Sequence, residues 1–252
     1  MHGPQALVDH LSTNLYHPRS DAHSNALCLG ILADLIETCP VFAGRAARGE
    51  IVAQLNHTST VGHEEWNVDL AVGPPRGLPN APAGGELIRS GPPAVIELAI
   101  EAKAVMTEHG KARRNRLRDL QAFHSHAHAY DQNVVAVGVV VVNLAEFFWS
   151  PTRSPSDVTH HRGIATLGES TIDIYRNLPL RRRPADGPGF EAVAVIAIRH
   201  DNIRKNMALP AGSPEPGETL LVTRSPAPAP GDPLEYGTMI VRACAAYKER
   251  WS

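Results

Sequence analysis

Residues 94–103 have the sequence Ala-Val-Ile-Glu-Leu-Ala-Ile-Glu-Ala-Lys. Apolar residues alternate here with a polar series formed by Glu97, Glu101 and Lys103, in which Ala99 is the one apolar member. Because successive side chains of a strand point to opposite faces, the pattern predicts a strand with one apolar face. The other face carries two carboxylates and an amine. Charges gathered on so hydrophobic a strand indicate a functional site.

A second strand is predicted at residues 65–72. One face of this strand is apolar and consists of Trp66, Val68, Leu70 and Val72. Asp69 lies on the opposite face. If the two strands pair, Asp69 faces Glu101 and Lys103. The alternative is a structural ion pair between Asp69 and Lys103 on an open sheet face.

The arrangement of Asp69 on one strand and Glu101-Ala102-Lys103 on the next resembles the PD-(D/E)xK nuclease superfamily. This superfamily contains restriction-type endonucleases and DNA repair nucleases. The chain departs from the family's name at Val68, which precedes the aspartate in place of proline. The resemblance covers roughly residues 20 to 143. This range contains the helix before the two strands, the strands themselves, and the helix and strand that follow them.

The resemblance implies an α/β fold with a central mixed β-sheet flanked by helices. In this fold a restriction-endonuclease-like αβββαβ core is followed by C-terminal additions. We assign residues 1–143 to the nuclease core with its N-terminal helices, and residues 144–252 to a C-terminal extension of the same domain. Hydrophobic patterns predict helices at 4–16, 20–38, 111–130 and 234–250, and further strands at 50–56, 134–142 and 191–199. Proline-rich segments at 73–93 and 209–233 are predicted to be irregular.

The same resemblance implies the catalytic roles. Asp69 and Glu101, with the backbone carbonyl of Ala102, would bind Mg²⁺, for which Mn²⁺ would substitute. Lys103 would lie near the attacking water, where it would orient the water or lower its pKa. Its positive charge would also offset negative charge in the transition state.

A further metal ligand is expected from the helix before the sheet, because many members of the superfamily have a glutamate there. Glu37 is the residue that we assign to this role, and an exposed glutamate near a helix end is the alternative interpretation. Glu97 is the other candidate ligand. It lies on the polar face of the strand, about 7 Å from Glu101 by strand rise.

A basic cluster marks the start of the predicted helix at 111–130. The DNA-binding residues are predicted to be Lys111, Arg113, Arg114, Arg116, Arg118 and Gln121. Positive side chains at the positive end of a helix dipole form a natural contact for phosphate. His124 and His128 lie one turn apart on the same helix and are predicted to be surface histidines.

Composition limits the class of protein. A net charge of −2 over 252 residues argues against a protein that coats nucleic acid over its whole surface. No run approaches the roughly 20 apolar residues of a membrane span, and the N-terminus has no signal-peptide pattern, so a cytoplasmic protein without membrane association is predicted. Cys28, Cys39 and Cys244 are predicted to be buried thiols, because their number and spacing fit no disulfide framework or zinc site.

Together these features predict a Mg²⁺-dependent DNA endonuclease of restriction or defence type. Residues 144–252 would contribute specificity, dimerisation or both, which leaves a homodimer open. The alternative is a catalytically silent module that keeps the nuclease fold and uses its basic face for DNA binding or assembly.

Overall fold

The computed structural model of the protein describes residues 1–153, 157–209 and 212–251. The helices are α1 (His2–Thr13), α2 (Ala22–Thr38), α3 (Pro40–Ala47), α4 (His109–Tyr130), α5 (Ile164–Asp173) and α6 (Tyr236–Trp251). The strands are β1 (Val52–Val61), β2 (Glu64–Gly73), β3 (Arg89–Ser90), β4 (Leu98–Val105), β5 (Val135–Asn143), β6 (Phe147–Trp149), β7 (Val158–His160), β8 (Ala192–Arg199) and β9 (Leu220–Leu221).

Seven strands form a mixed sheet in the order β3-β1-β2-β4-β5-β8-β9. The hairpin of β1 and β2 is antiparallel, and β2 is antiparallel to β4. The strands β4, β5 and β8 are parallel to one another. The short strands β6 and β7 form a separate pair. The prediction of an α/β fold with a central mixed sheet flanked by helices is therefore confirmed.

Helices cover both faces of the sheet and define two apolar cores. The first core contains buried residues of α1, α2, α3 and α6, and the second contains buried residues of α4 and α5. Strand β5 contributes Val137, Val139 and Val141 to the first core and Val140 and Val142 to the second. A parallel strand buried on both faces needs a continuous apolar sequence, which explains the composition of β5.

The C-terminal part of the chain joins the same sheet and the same first core. Strand β8 pairs in parallel with β5 from Val137 opposite Ala192 to Asn143 opposite Ile198. Helix α6 packs with Met239 and Ile240 in the first core. Residues after 143 thus extend the sheet that the earlier strands begin.

The apolar face predicted for β2 is wrong at one point. Trp66 and Val68 pack in the second core, whereas Leu70 and Val72 pack in the first. Pairing between β1 and β2 passes from Leu55–Leu70 to His57–Val68 without a pair at Asn56 and Asp69, and Asn56 has a φ of +49°. The even-numbered side chains of β2 therefore face the second core before Asp69 and the first core after it.

The prediction of three free thiols is also wrong. Cys39 and Cys244 form a disulfide with a Cα–Cα distance of 5.4 Å, and Cys28 is free and buried. The two bonded cysteines are 205 residues apart in the chain. They meet because α6 packs against the junction of α2 and α3, and cysteine spacing alone does not reveal that packing.

Membrane-span criteria are not met by any single helix within the described ranges. The helices α2 and α3 meet the length and composition limits only as a pair bent by 106°.

Candidate active site

Asp69 lies where the pairing of β2 and β4 ends. The last paired residues on this side are Leu70 and Ile100. Beyond them, the Asp69 carboxylate accepts a hydrogen bond of 2.7 Å from the backbone N–H of Ala102. The aspartate side chain thus replaces a ladder hydrogen bond and is held at the residue between Glu101 and Lys103.

Glu101 and Lys103 share the face of β4 that α4 covers. Ala102 and Ala104 pack against the first core and Val105 lies in the second, so strand alternation directs Glu101 and Lys103 toward the second core. The Lys103 amine forms an ion pair with the Glu101 carboxylate. The side chains of Lys103 and Glu101 are 22% and 10% exposed respectively, so both are mostly shielded yet reachable from solvent.

Burial and mutual repulsion disfavour charge on the two carboxylates. Burial raises the pKa of Glu101 to about 7, and the neighbouring charge of Asp69 adds to this rise while Lys103 opposes it. Burial also raises the pKa of Asp69, against the opposing effects of Lys103 and the Ala102 N–H. Two acids that resist ionisation in a partly enclosed site are common where protons or cations are bound.

The amine of Lys103 remains protonated. Burial by itself lowers the pKa of Lys103, but the charges of Glu101 and Asp69 outweigh it and the net pKa is raised. Two acids and one cation therefore share the site, and one carboxylate charge lacks a compensating amine whenever both acids are ionised.

The α1–α2 connection and the start of α2 contribute polar groups that sequence reasoning missed. Burial lowers the pKa of His23 to about 4, and the charge of Lys103 acts in the same direction. Asp21, which immediately precedes α2, raises the pKa of Asp69 as a minor contribution after burial. No short-range motif links Asp21 or His23 to the sheet, because the fold alone brings the start of α2 near β4.

Glu37 does not join the candidate site. Its side chain is 70% exposed and its carboxylate lies 3.1 Å from Nε2 of His2. The proposed role as a ligand beside Asp69 is therefore wrong in this structure, because only the start of α2 lies near the site and Glu37 is at the opposite end of that helix, about 20 Å away by helix rise. The interpretation of Glu37 as an exposed residue near a helix end fits its position.

Glu37 instead belongs to a set of three side chains, with His2 and Asp34, whose ligand-type atoms lie within 4.8 Å of one another. Both Asp34 oxygens are already engaged. They accept hydrogen bonds from the backbone N–H groups of His2 and Gly3 and from the Tyr236 hydroxyl. These hydrogen bonds account for the burial of Asp34, because they anchor the start of α1 to α2 and α6.

Glu97 is not beside Glu101 either. Its carboxylate accepts two hydrogen bonds from Arg45, of 2.7 and 2.9 Å, and one of 2.7 Å from the Tyr247 hydroxyl. The side chain is 5% exposed. The expectation that Glu97 shares the polar face of β4 is wrong because the alternation breaks just before the strand, and Glu97 turns toward α3 and α6.

The predicted DNA-binding residues lie on α4, in two groups. Arg113 donates a hydrogen bond to Ser170 of α5, and Arg116 forms an ion pair of 2.9 Å with Asp119. The exposed group comprises Lys111, Arg114, Arg118 and Gln121. Along the described ranges of the chain, Lys111, Arg114 and Arg118 form no ion pair. Their charges are free to meet a ligand.

The helix α4 also places charge beside the catalytic candidates. Asp119 raises the pKa of Lys103 as a minor contribution, and Leu120 packs in the second core next to β5. Asp119 of α4 therefore lies near Lys103, and the basic first turns of the helix lie beyond it, toward the C-terminal end of β4.

The prediction of surface positions for His124 and His128 is wrong. They are 5% and 3% exposed, on the side of α4 that faces the second core. His124 packs edge-on against Phe190 at a centroid distance of 5.1 Å, and Nε2 of His128 lies 3.6 Å from Glu191. A histidine pattern cannot reveal this burial, because the covering residues come from the segment before β8.

Comparisons with protein-family models, with curated proteins and with solved structures found no significant match. Functional inference for this chain therefore rests on the geometry and chemistry of its own residues.

Proposed function

We propose that the protein is a Mg²⁺-dependent DNA endonuclease of the PD-(D/E)xK type that acts in restriction or defence. One observation carries the proposal. Asp69 binds the N–H of Ala102, between Glu101 and Lys103, while the Lys103 amine contacts Glu101. Two carboxylates, a backbone carbonyl and an amine are thereby gathered at one point of the sheet.

The order of elements supports the same proposal. The chain passes through α2, β1, β2, β4, α4 and β5, and apart from α3 and the two-residue β3 this is the αβββαβ order of a restriction-endonuclease-like core. Strands β1, β2, β4 and β5 are neighbours in the sheet. Asp69 and Glu101 occupy the second and third of these strands, as the resemblance requires.

The donor set suits a hard divalent cation. Oxygen ligands from carboxylates and carbonyls are those that Mg²⁺ prefers, and Asp69, Glu101 and the carbonyl of Ala102 would hold it. The repulsion that raises the pKa of Glu101 would be relieved by such an ion. Bound Mg²⁺ would polarise the scissile phosphate and lower the pKa of a coordinated water.

The remaining roles fall to protein groups alone. The Lys103 amine would orient the attacking water and offset charge on the phosphorane. The exposed Lys111, Arg114 and Arg118 would hold flanking phosphates, because cationic side chains at the start of a helix bind the DNA backbone without reading sequence.

Plasmid nicking with the parent protein and two variants tests the proposal. We expect the parent to nick supercoiled DNA with Mg²⁺ and to lose this activity with EDTA. Lys103→Ala should keep DNA and Mg²⁺ binding but lose cleavage by about 100-fold or more, since it removes a transition-state interaction. Asp69→Ala should lose Mg²⁺ affinity as well.

The control is Glu97→Gln, which changes a buried acid outside the site, and it should still nick DNA at a temperature where it is folded. Full cleavage by Lys103→Ala, measured beside calorimetric Mg²⁺ titrations, would refute the catalytic assignment. It would favour a structural ion pair on β4.

A catalytically silent DNA-binding or assembly module is the second candidate. It is favoured by the fact that each group of the site already has an internal partner, since Lys103 pairs with Glu101 and Asp69 accepts from Ala102. Gel-shift titration distinguishes the two functions. DNA binding that is independent of Mg²⁺, without nicking under any metal condition, would select the silent module.

A further inference from the structure

A second cluster of charged residues lies away from the candidate active site. The segment at Arg181 and Arg182 meets the start of β8 and the C-terminal half of α6. A cavity of about 340 Å³ opens between them. Its charged lining residues are Arg181, Arg182, Glu191, Arg242 and Glu249. We call this space the arginine cavity.

The floor of the arginine cavity is a closed network of hydrogen bonds. Glu191 accepts from Nε of Arg181, from Arg250 and from the backbone N–H of Ala136. The remaining guanidinium nitrogens of Arg181 donate to Gln132 and to backbone carbonyls. Arg181 and Glu191 are each 2% exposed. Glu191 is therefore saturated and cannot neutralise further arginines.

Two further arginines line the cavity, Arg182 and Arg242, together with the exposed Glu249, which forms no ion pair with either of them in the described ranges. Nε of Arg242 donates to the backbone carbonyl of Glu191 at 3.2 Å, which orients the guanidinium at the wall of the cavity. The residue is half-buried. Arg182 is exposed. Within the residues that the structure describes, neither side chain forms an ion pair. Burial lowers the pKa of Arg242 and the like charge of Arg182 lowers it further.

We propose that the arginine cavity is a binding site for a small phosphorylated ligand, held by the guanidinium groups of Arg182 and Arg242. Arginine recognises phosphate through paired N–H donors. A bound dianion would remove the repulsion between the two guanidinium groups.

The cavity is large enough for a ligand bigger than a simple ion. Small-molecule sites typically occupy about 300–1,000 Å³, and the cavity lies at the lower end of that range. Methyl groups of Ala245 and Ala246 line part of it, so an uncharged portion of the ligand has an apolar surface to contact. Inorganic phosphate and a nucleoside monophosphate are the two sources of phosphate that we distinguish.

Calorimetric titration of the full chain in EDTA tests the proposal, with inorganic phosphate and with AMP as separate ligands. EDTA prevents either ligand from bridging to a metal at Asp69 and Glu101. We expect saturable binding of at least one ligand, together with a rise in melting temperature. Stronger binding of AMP would assign the phosphate to a nucleotide, and equal binding would assign it to the free ion.

The double variant Arg182→Gln/Arg242→Gln should weaken binding by about tenfold or more for each guanidinium, because hydrogen bonds to charged groups are strong. Arg224→Gln changes an exposed arginine elsewhere and is the control. Without ligand, Arg182→Gln alone should melt at or above the parent, since it removes like-charge repulsion and touches no buried group.

Three results would overturn the proposal: no saturable binding of either ligand, equal affinities in the double variant and the Arg224→Gln control, or binding of a DNA duplex alone that the double variant loses. If the double variant does not fold, Arg182→Gln supplies the comparison by itself. DNA cleavage plays no part in these measurements, so failure of the endonuclease proposal leaves the test intact.

Discussion

Glu101 has the most perturbed carboxylate among the residues of the candidate active site. Burial and the charge of Asp69 raise its pKa to about 7 from an ordinary value of 4.5. The unfolded chain therefore ionises Glu101 at lower pH than the folded protein does. It follows that the metal-free protein loses stability as the pH rises from 4.5 to about 7, and that the loss is complete above about pH 7.

Glu101→Gln should remove this pH dependence, because glutamine does not ionise. Relative to the parent, the metal-free variant should gain up to about 3 kcal/mol in unfolding free energy between pH 4 and pH 8. Urea unfolding at several pH values in EDTA measures the difference. Glu86→Gln, an exposed loop substitution, is the control. A parent and a Glu101→Gln variant with parallel pH profiles would show that the Glu101 charge is well compensated without metal.

At the level of single elements, α4 lies beside the candidate active site and carries the predicted DNA-binding residues. Its arginines divide into an exposed pair, Arg114 and Arg118, and a pair held by Ser170 and Asp119. The helix begins with basic and no acidic residues in its first turn, so its charge reinforces the positive end of the helix dipole. Variants of the two pairs change the charge equally, so a difference between them in DNA binding reports the position of the arginines on α4.

Neutralising the exposed pair as Arg114→Gln/Arg118→Gln should weaken DNA binding uniformly across sequences. The slope of log affinity against log salt should become shallower by about 0.9 for each phosphate of duplex DNA that the variant no longer neutralises. Arg113→Gln/Arg116→Gln is the matched variant with equal charge change, and it should alter the slope less. Fluorescence anisotropy over a salt series provides the values. Equal slopes in both variants would show that position on α4 has no bearing on phosphate binding.

The start of β4 is tied to two helices through Glu97. Its carboxylate binds Arg45 of α3 and Tyr247 of α6, and the residue is 4% exposed. Removing one partner of a buried ion pair leaves the other charge uncompensated and costs about 3–5 kcal/mol. Glu97 therefore stabilises the packing of the start of β4 against α3 and α6.

Glu97→Gln should lower the unfolding free energy by about 3 kcal/mol while leaving Mg²⁺ affinity unchanged. Tyr247→Phe removes one hydrogen bond from the same group and should cost about 1 kcal/mol. Chemical denaturation and calorimetric Mg²⁺ titration give the two quantities. Weaker Mg²⁺ binding by Glu97→Gln would identify Glu97 as a metal ligand after all.

At the scale of the whole molecule, the disulfide between Cys39 and Cys244 joins the beginning and end of the first core. It closes a segment of 205 residues, and a cross-link over so long a loop restricts the unfolded chain strongly. Disulfides are rare in reducing compartments. The cytoplasmic location predicted from the sequence therefore stays a prediction.

Reduction with dithiothreitol should lower the unfolding free energy of the parent by about 2–5 kcal/mol. Cys39→Ser/Cys244→Ser should resemble the reduced parent and be insensitive to reductant. Cys28→Ala, which changes the free buried cysteine, should retain the effect of dithiothreitol. Parent unfolding curves that coincide with and without reductant would mean that the bond contributes nothing to stability.

Sequence alone determined the features that follow from local periodicity. Alternation of apolar and charged residues identified β4, the continuous apolar run identified the doubly covered β5, and the spacing of apolar residues identified α4. The same alternation selected Asp69, Glu101 and Lys103 as one group. Side-chain period is a property of a few neighbouring residues, so the existence and type of these elements can be predicted from their own sequence.

Tertiary structure decided the features that depend on distant partners. The strand β2 changes face at Asp69 because Asn56, opposite it in the hairpin, has a positive φ. Glu97 turns from the polar face because Arg45 and Tyr247 offer it hydrogen bonds. Glu37 is excluded from the site because α2 approaches it with its first residues, and Glu37 is at the other end of the helix. Each outcome is fixed by residues that are remote in sequence, and local pattern contains no information about which remote residues will meet.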